Sequence, residues 1–383
     1  MASDPPSDRP RILILTAGFG QGHNTAARNL AEALLVESEG NADPVVVDLF
    51  DRALPRSGAA AKALYHWGIS HLPGVWKRFY QMSDKMNPSA NRADWFWGMT
   101  KALAKEVLAH PPAAIVSTYP LYPHLIPRLF DEGEDAPFPV ITAITDSVSI
   151  NSVWVSAPSS GYIVTDSLTR DHLLERRIDP ESIRVLGFPV SLQFAASAGE
   201  GDAGPVSGGR RLLYFATTRR AHVRRTLASL LPVVGQLRIA LTIVMGQSGK
   251  RLAKVVDQAA KAFPDAQIRL IGWTNAVPEL LRSHHAVITK AGGAITHEAL
   301  AAGCPPIINY IVPGQEEGNA DLVVGHACGL RAPNPDDMGR LVYDLFAGDA
   351  EELEAMRRNA KQVGRPRAAL DAARYILREI GDA

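Results

Sequence analysis

Two stretches near opposite ends of the chain repeat one pattern: a short apolar run, a loop of small residues, then apolar positions at helical spacing. Arg11 to Thr16 leads into Ala17, Gly18, Phe19, Gly20, Gln21, Gly22 and His23, after which Ala27, Leu30, Ala31 and Leu34 mark a helix. Ala286 to Thr289 leads into the loop Lys290 to Gly293 and the helix-forming Ala294 to Ala302. Strand, glycine loop and helix in that order belong to α/β architecture, where ligands bind at the edge formed by the strand C-termini. Further strands are expected at Val45 to Leu49, Ala113 to Ser117, Val140 to Thr145 and Gly161 to Val164, with Val185 to Pro189 closing the first half. The alternation restarts with Leu212 to Ala216, Ile239 to Met245, Ile268 to Ile271, Val287 to Thr289 and Ile307 to Asn309.

At 383 residues the chain exceeds one small core, so two domains are expected. Residues 195–209, rich in Gly, Ala and Ser, read as a linker between domains at 1–194 and 210–365. Leu370, Ala373, Ile376, Leu377 and Ile380 mark a final helix within 366–383. Lys plus Arg and Asp plus Glu stand at 40 each, which disfavours nucleic acid as a partner. Cys304 and Cys328 are the only cysteines and read as reduced thiols of a cytoplasmic protein, with no neighbouring ligand at metal spacing. The polar MASDPPSDRP start reads as a frayed tail rather than a signal peptide. No apolar run approaches the roughly 20 residues that span a bilayer, so any membrane contact is expected from the surface.

The candidate chemistry gathers in loops. Gly292, Gly293 and Ala294 open a helix whose free N–H groups suit a phosphate, although Gly-Gly also serves as an ordinary tight connection. Glu298 can serve the helix dipole or accept the hydroxyls of a ribose. Gln315, Glu316 and Asn319 offer the donors and acceptors that sugar hydroxyls need, and with Lys290 they suggest a nucleotide-sugar site. The spacing G-x-G-x-G at 18–22, with His23 in the third glycine position of a dinucleotide fingerprint, argues against a nicotinamide or flavin site. Residues 246–250 lack the glycine spacing of a P-loop. His23 stands at a helix start, where the dipole is expected to keep it neutral and fit to act as a base. Asp146 can cap a helix, orient His23, or act as the base itself. Between residues 59 and 108, Trp67, Trp76, Phe79, Tyr80, Trp95, Phe96 and Trp97 interleave with Lys62, Lys77, Arg78, Lys85, Arg92, Lys101 and Lys105. This composition fits helices at an anionic membrane surface, or an amphipathic pair packed on the sheet.

The segment Thr289, Lys290, Gly292, Gly293, Thr296, Glu298, Ala299, followed by Pro313, Gly314, Gln315, Glu316 and Asn319, resembles the donor region of the monogalactosyldiacylglycerol synthases and the bacterial processive diacylglycerol glucosyltransferases. The resemblance extends from about residue 10 to 365. It implies a GT-B fold, two Rossmann-like domains facing across a cleft, and an inverting transfer of a hexose from a UDP-sugar to diacylglycerol or a similar lipid. Such an enzyme works peripherally on the inner face of the cell membrane. The resemblance implies acceptor or proton-abstraction roles for His23 with Gly20 and Gly22, a site-facing carboxylate at Asp146, and lipid contacts at Trp76, Lys77, Arg78 and Tyr80. It implies uracil contacts at Trp273 and Thr274, although Trp273 also reads as a core residue. Two departures stand out. Ser156 replaces a histidine common in the family, and Thr217, Thr218, Arg219 and Arg220 replace a glycine-rich turn. Thr217 and Arg219 are able to bind a diphosphate themselves or to block its approach. No D-x-D triplet is present, and the mechanism implied needs no metal or other cofactor. Transfer of N-acetylglucosamine to a polyprenyl-linked precursor, and a catalytically silent UDP-sugar or lipid sensor, remain open alternatives. An epimerase of the same architecture leaves the aromatic, basic insertion unexplained, and oligomeric state has no sequence signal.

Overall fold

The run RILILT forms β1 (Arg11–Thr16) because it is β-branched or leucine-rich and covered on both faces, as a central parallel strand requires. It pairs with β2 (Asp43–Asp48) on one side and β3 (Ala114–Ser117) on the other. β4 (Val140–Ala143), β5 (Gly161–Val164) and β6 (Ile183–Val185) complete a six-stranded parallel sheet of order β2-β1-β3-β4-β5-β6. A second six-stranded parallel sheet is built from β7 (Arg211–Phe215), β8 (Ala240–Val244), β9 (Ile268–Ile271), β10 (Ala286–Lys290), β11 (Pro306–Tyr310) and β12 (Leu330–Arg331). Its order is β12-β11-β10-β7-β8-β9. The computed structural model describes residues 9–54, 94–131, 134–196, 203–246, 249–314, 316–332 and 334–381, with isolated positions between 58 and 82.

Local chemistry moves several boundaries. β2 begins at Asp43 instead of Val45, and Pro44 is tolerated because β2 lies at the sheet edge. Leu49, expected in that strand, is helical: Asp48 Oδ1 accepts from Asp51 N at 3.1 Å and starts the helix Leu49–Ala53. The strand expected at Val185 to Pro189 is instead Ile183–Val185, and the chain turns away at Gly187 with φ +98°.

The chain divides into a unit of residues 1–192 with 367–383 and a unit of residues 193–366. In the first, the helix Ala368–Gly381 packs on the helix Gln21–Glu37, and its Ala369, Ala372, Ala373 and Ile376 are buried. Arg374 grips Glu37 with two bonds of 2.6 and 2.9 Å. In the second, the helix Arg220–Gln236 covers the sheet with buried Val223, Leu227, Leu230, Leu231 and Val234. Cys304 and Cys328 are buried and form no disulfide.

The helix Gly293–Ala301 is held at its far end by Gly364, which closes the helix Glu351–Val363. A Cβ at Gly364 would stand 2.2 Å from Leu300 O, so only glycine permits this approach. Gly364→Ala is therefore expected to destabilise the chain by about 1–3 kcal/mol, since backbone must shift to admit the methyl group. Urea unfolding measures it, and an unchanged midpoint contradicts the close packing.

Candidate functional site

Strand order reverses between β1 and β3 in the first sheet and between β7 and β10 in the second, and open α/β sheets bind ligands beyond the strand C-termini at such points. In the first unit that point carries His23, in the first turn of the helix Gln21–Glu37 and 7% exposed. Its Nδ1 lies 2.7 Å from Thr118 O and 2.9 Å from Thr145 Oγ1. A carbonyl oxygen only accepts, so Nδ1 carries the proton of the neutral ring and Nε2 keeps its lone pair. Thr118 is pinned in turn, its Oγ1 donating to Leu15 O and His23 O at 3.2 Å each. Tyr119 meets the His23 ring edge-on at 5.2 Å.

Burial lowers the His23 pKa to about 4, against the opposing bond to Thr118 O. The helix dipole expected to keep it neutral is thus not the leading cause. Thr118 and Thr145 hold the His23 ring at Nδ1. The Asp146 carboxylate accepts Trp154 Nε1–H at 2.9 Å, which fixes a buried indole beside the histidine ring at 6.0 Å. The neighbouring helices are capped by Asn151 and Asp166. Ser156 is exposed.

Loop Ala17–Gly20 precedes His23, and Gly18 N donates to Asp48 Oδ2 at 2.9 Å. Lys62 Nζ binds the same carboxylate at 2.7 Å and Asp51 at 2.7 Å, tying the start of the aromatic, basic insertion to the glycine loop. Arg78 lies in helical backbone and is exposed, as are Val75, Met82 and Trp97. Trp67, Trp76, Lys77, Phe79 and Tyr80, with Gln315 in the second unit, lie outside the described residues.

In the second unit, Lys290 ends β10 and Gly292 caps the helix Gly293–Ala301, with no side-chain cap bond of its own. Gly293 and Ala294 are the first residues of that helix, and Glu298 is half-buried in its second turn. Lys290 Nζ pairs with Glu316 Oε1, while Glu316 Oε2 accepts Val312 N at 3.0 Å. The Glu316 carboxylate, expected among the sugar contacts, is therefore engaged as a buried clasp between the loops after β10 and β11. Gly292 leaves room for it: a Cβ there would stand 3.3 Å from Lys290 Cε and 3.6 Å from Glu316 Oε1. Asn319 Nδ2 donates to Ala291 O at 3.0 Å.

Thr217 and Arg219 are exposed in the turn after β7, at the start of the helix Arg220–Gln236. Beyond β9, Trp273 is 65% exposed, which corrects its reading as a core residue, and Thr274 Oγ1 accepts Ala276 N at 3.0 Å. A buried polar cluster lies under the β7 turn that sequence reasoning missed. Thr226, Asn309 and Thr218 stand beside the Tyr214 hydroxyl and stabilise its anion weakly, although none of these contacts has the geometry of a full hydrogen bond. Burial pushes the Tyr214 phenol up to about 12, so it stays a donor. Tyr214 and Asn309 sit in apolar runs, and their polarity there was the available signal.

Comparison with known proteins adds to this geometry. The family model for monogalactosyldiacylglycerol synthase matches residues 23–190, and that for glycosyl transferases group 1 matches residues 226–363. A processive diacylglycerol beta-glucosyltransferase of Bacillus pumilus is 25% identical over 356 residues, 92% of this chain and 91% of that protein. The chloroplastic monogalactosyldiacylglycerol synthase of Spinacia oleracea is 25% identical over 380 residues, 95% of this chain and 71% of that protein. The chain is a glycosyltransferase related to these glycolipid synthases. Its fold is GT-B, two Rossmann-like parallel-sheet halves. MurG of Acinetobacter baumannii superposes with a TM-score of 0.59 at 12% identity, covering 96% of the glycosyltransferase and 99% of that chain. No helix among the described residues is long and apolar enough to cross a membrane.

The histidines make stability pH-dependent. His23 and His284 both sit at about 4, lowered from 6.5 mainly by burial. A neutral folded histidine loses nothing above the unfolded value; as pH falls from 6.5 to about 4 the unfolded chain binds protons that the folded chain refuses. Each is expected to remove on the order of 3 kcal/mol across that window. Urea midpoints at pH 7 and pH 4.5 test this. The fall is smaller in His23→Asn, and a midpoint indifferent to pH contradicts the burial.

Proposed function

We propose that this glycosyltransferase moves a hexose from a UDP-sugar to the hydroxyl of diacylglycerol or a related lipid, with inversion at the anomeric carbon. The observation that carries the reading is the His23 imidazole, whose tautomer is set by Thr118 O so that Nε2 is the basic nitrogen. The relatives, aligned over 92% and 95% of the chain, supply the substrate class: their names are those of diacylglycerol glucosyltransferases and monogalactosyldiacylglycerol synthases.

In this reading the acceptor O–H gives its proton to His23 Nε2 while its oxygen attacks the anomeric carbon. The bond from that carbon to the UDP oxygen breaks, and UDP departs with the electron pair. The charge that develops on the diphosphate is met by Lys290, by the N–H groups of Gly293 and Ala294, and by Thr217 and Arg219. These groups do the electrostatic work that a metal does elsewhere, so the reaction needs no cofactor. Glu316 holds Lys290 in place, Glu298 takes the ribose, Trp273 and Thr274 the uracil, and Gln315 and Asn319 the sugar. Gly20 and Gly22 let the acceptor approach the histidine loop. Asp146 acts through Trp154 as a positioning residue. The region 59–108, with Trp76, Lys77, Arg78 and Tyr80, rests on the anionic inner face of the cell membrane, and the exposed Val75, Met82 and Trp97 support that reading.

Radiolabelled UDP-hexose with diacylglycerol vesicles is the test. His23→Ala is expected to lower turnover by roughly 10²- to 10⁴-fold, the usual contribution of a general base, with UDP affinity retained. Unchanged turnover removes His23 from the mechanism. A wild-type protein that binds UDP and transfers nothing to any lipid supports a sensor instead. Glu298→Ala is expected to weaken UDP binding about tenfold, the loss of one charge-assisted hydrogen bond. Calorimetry reads this directly, and equal affinity refutes the ribose role.

A further inference from the structure

The opposite edge of the second sheet, at the strand N-termini, carries a second cluster that transfer chemistry does not use. Arg211 opens β7, and His285 directly precedes β10 on the neighbouring strand. The two are tied by His285 N to Arg211 O at 2.9 Å and by Arg211 N to His285 Nδ1 at 3.0 Å. Because Nδ1 accepts a peptide N–H, the neutral His285 ring carries its proton on Nε2. Arg357, on the helix Glu351–Val363, sends Nη1 to Gly204 O at 2.7 Å, and Arg211 sends Nη2 to Ala203 O. Adjacent carbonyls thus hold two guanidinium groups, and both charges lie near enough to His285 to lower its pKa, after burial.

Three side-chain nitrogens in this cluster are buried without a hydrogen-bond partner: Arg211 Nε, His285 Nε2 and Arg357 Nε. All three are donors. The nearby carboxylate does not bond to them: Glu354 accepts Arg357 Nη1 at 2.9 and 3.1 Å and Val206 N at 2.8 Å. Among the described residues, two guanidinium charges face one carboxylate, which leaves a single positive charge in excess. A water oxygen accepts two hydrogen bonds and brings no charge, whereas a halide accepts from any number of donors and cancels the excess. His285 is fully covered, Arg357 is 6% exposed and Arg211 is half-buried with its Nε covered, which disfavours a bulky anion.

We propose that Arg211, His285 and Arg357 form a buried site for one small monovalent anion of chloride or bromide size, which holds residues 203–206 against the start of β7. The anion acts as counter-ion to the paired guanidinium groups, and the site is separate from the donor loops at the other edge of the sheet.

The test uses the full chain. Thermal unfolding is followed at constant ionic strength while sodium gluconate is replaced by chloride or bromide, which excludes general screening. Either halide is expected to raise Tm saturably by roughly 2–4 °C at concentrations well above Kd, as ligand linkage requires. Arg357→Lys, which keeps the charge but loses Nε–H, is expected to lose most of that increment. Crystals grown in bromide supply a readout that needs no variant: an anomalous peak in contact with the three nitrogens supports the site. Gluconate and halide acting alike, inorganic phosphate stabilising as much as bromide, or density there without anomalous signal each overturns it. None of these results bears on glycosyl transfer, so the two readings fail separately.

Discussion

Parallel strands cannot be joined by tight turns, and this constraint organises the molecule. Each strand must be followed by a crossover, so every strand C-terminus in a sheet opens to the same edge. In the first sheet that edge carries the glycine loop, His23, Thr118 and Thr145. In the second it carries the turn at Thr217–Arg219, Trp273, the Lys290–Gly293 loop and Glu316. Residues distant in sequence become neighbours because the strands beneath them are adjacent, not because any local motif brings them together.

Burial then decides what each polar group does. His23 is neutral because water cannot reach it, and its proton position follows from one backbone carbonyl. Glu316 stays engaged with Lys290 and Val312 N, so its loop is held to the Lys290 loop before any ligand arrives. Preorganisation of this kind suits electrostatic stabilisation of a departing anion, since the donors need not be rearranged during the reaction. The Tyr214, Thr218, Thr226 and Asn309 side chains show the converse, buried polarity concentrated under the Thr217–Arg219 turn without full hydrogen-bond geometry.

Much of the fold was legible because its signals are local. Apolar runs of strand length, glycine loops and helical spacing name most strands of both sheets, and the segments at 11–34 and 286–302 are read with little ambiguity. The misread ends have local causes of another kind: Asp48 diverts Leu49 into a helix, and Gly187 turns the chain where a strand was expected. The site was less legible because its contacts are distant. The partner that sets the His23 tautomer is a main-chain oxygen 95 residues away, which no side-chain motif encodes. Asp146 was read as a helix cap, a group orienting His23 or the base itself, and its bond to the Trp154 indole requires both loops to be in place. Tyr214 and Asn309 were taken as strand interior, since hydrophobic periodicity carries no information about which buried hydroxyl finds a partner.

The direct measurement of the central claim is a crystal structure of the chain with UDP. The diphosphate is predicted against the Thr217–Arg219 turn and the Gly292–Ala294 helix start, with the ribose at Glu298. UDP bound at any other edge of the second sheet, or in the first unit, would contradict the assignment of donor and acceptor chemistry to the two halves.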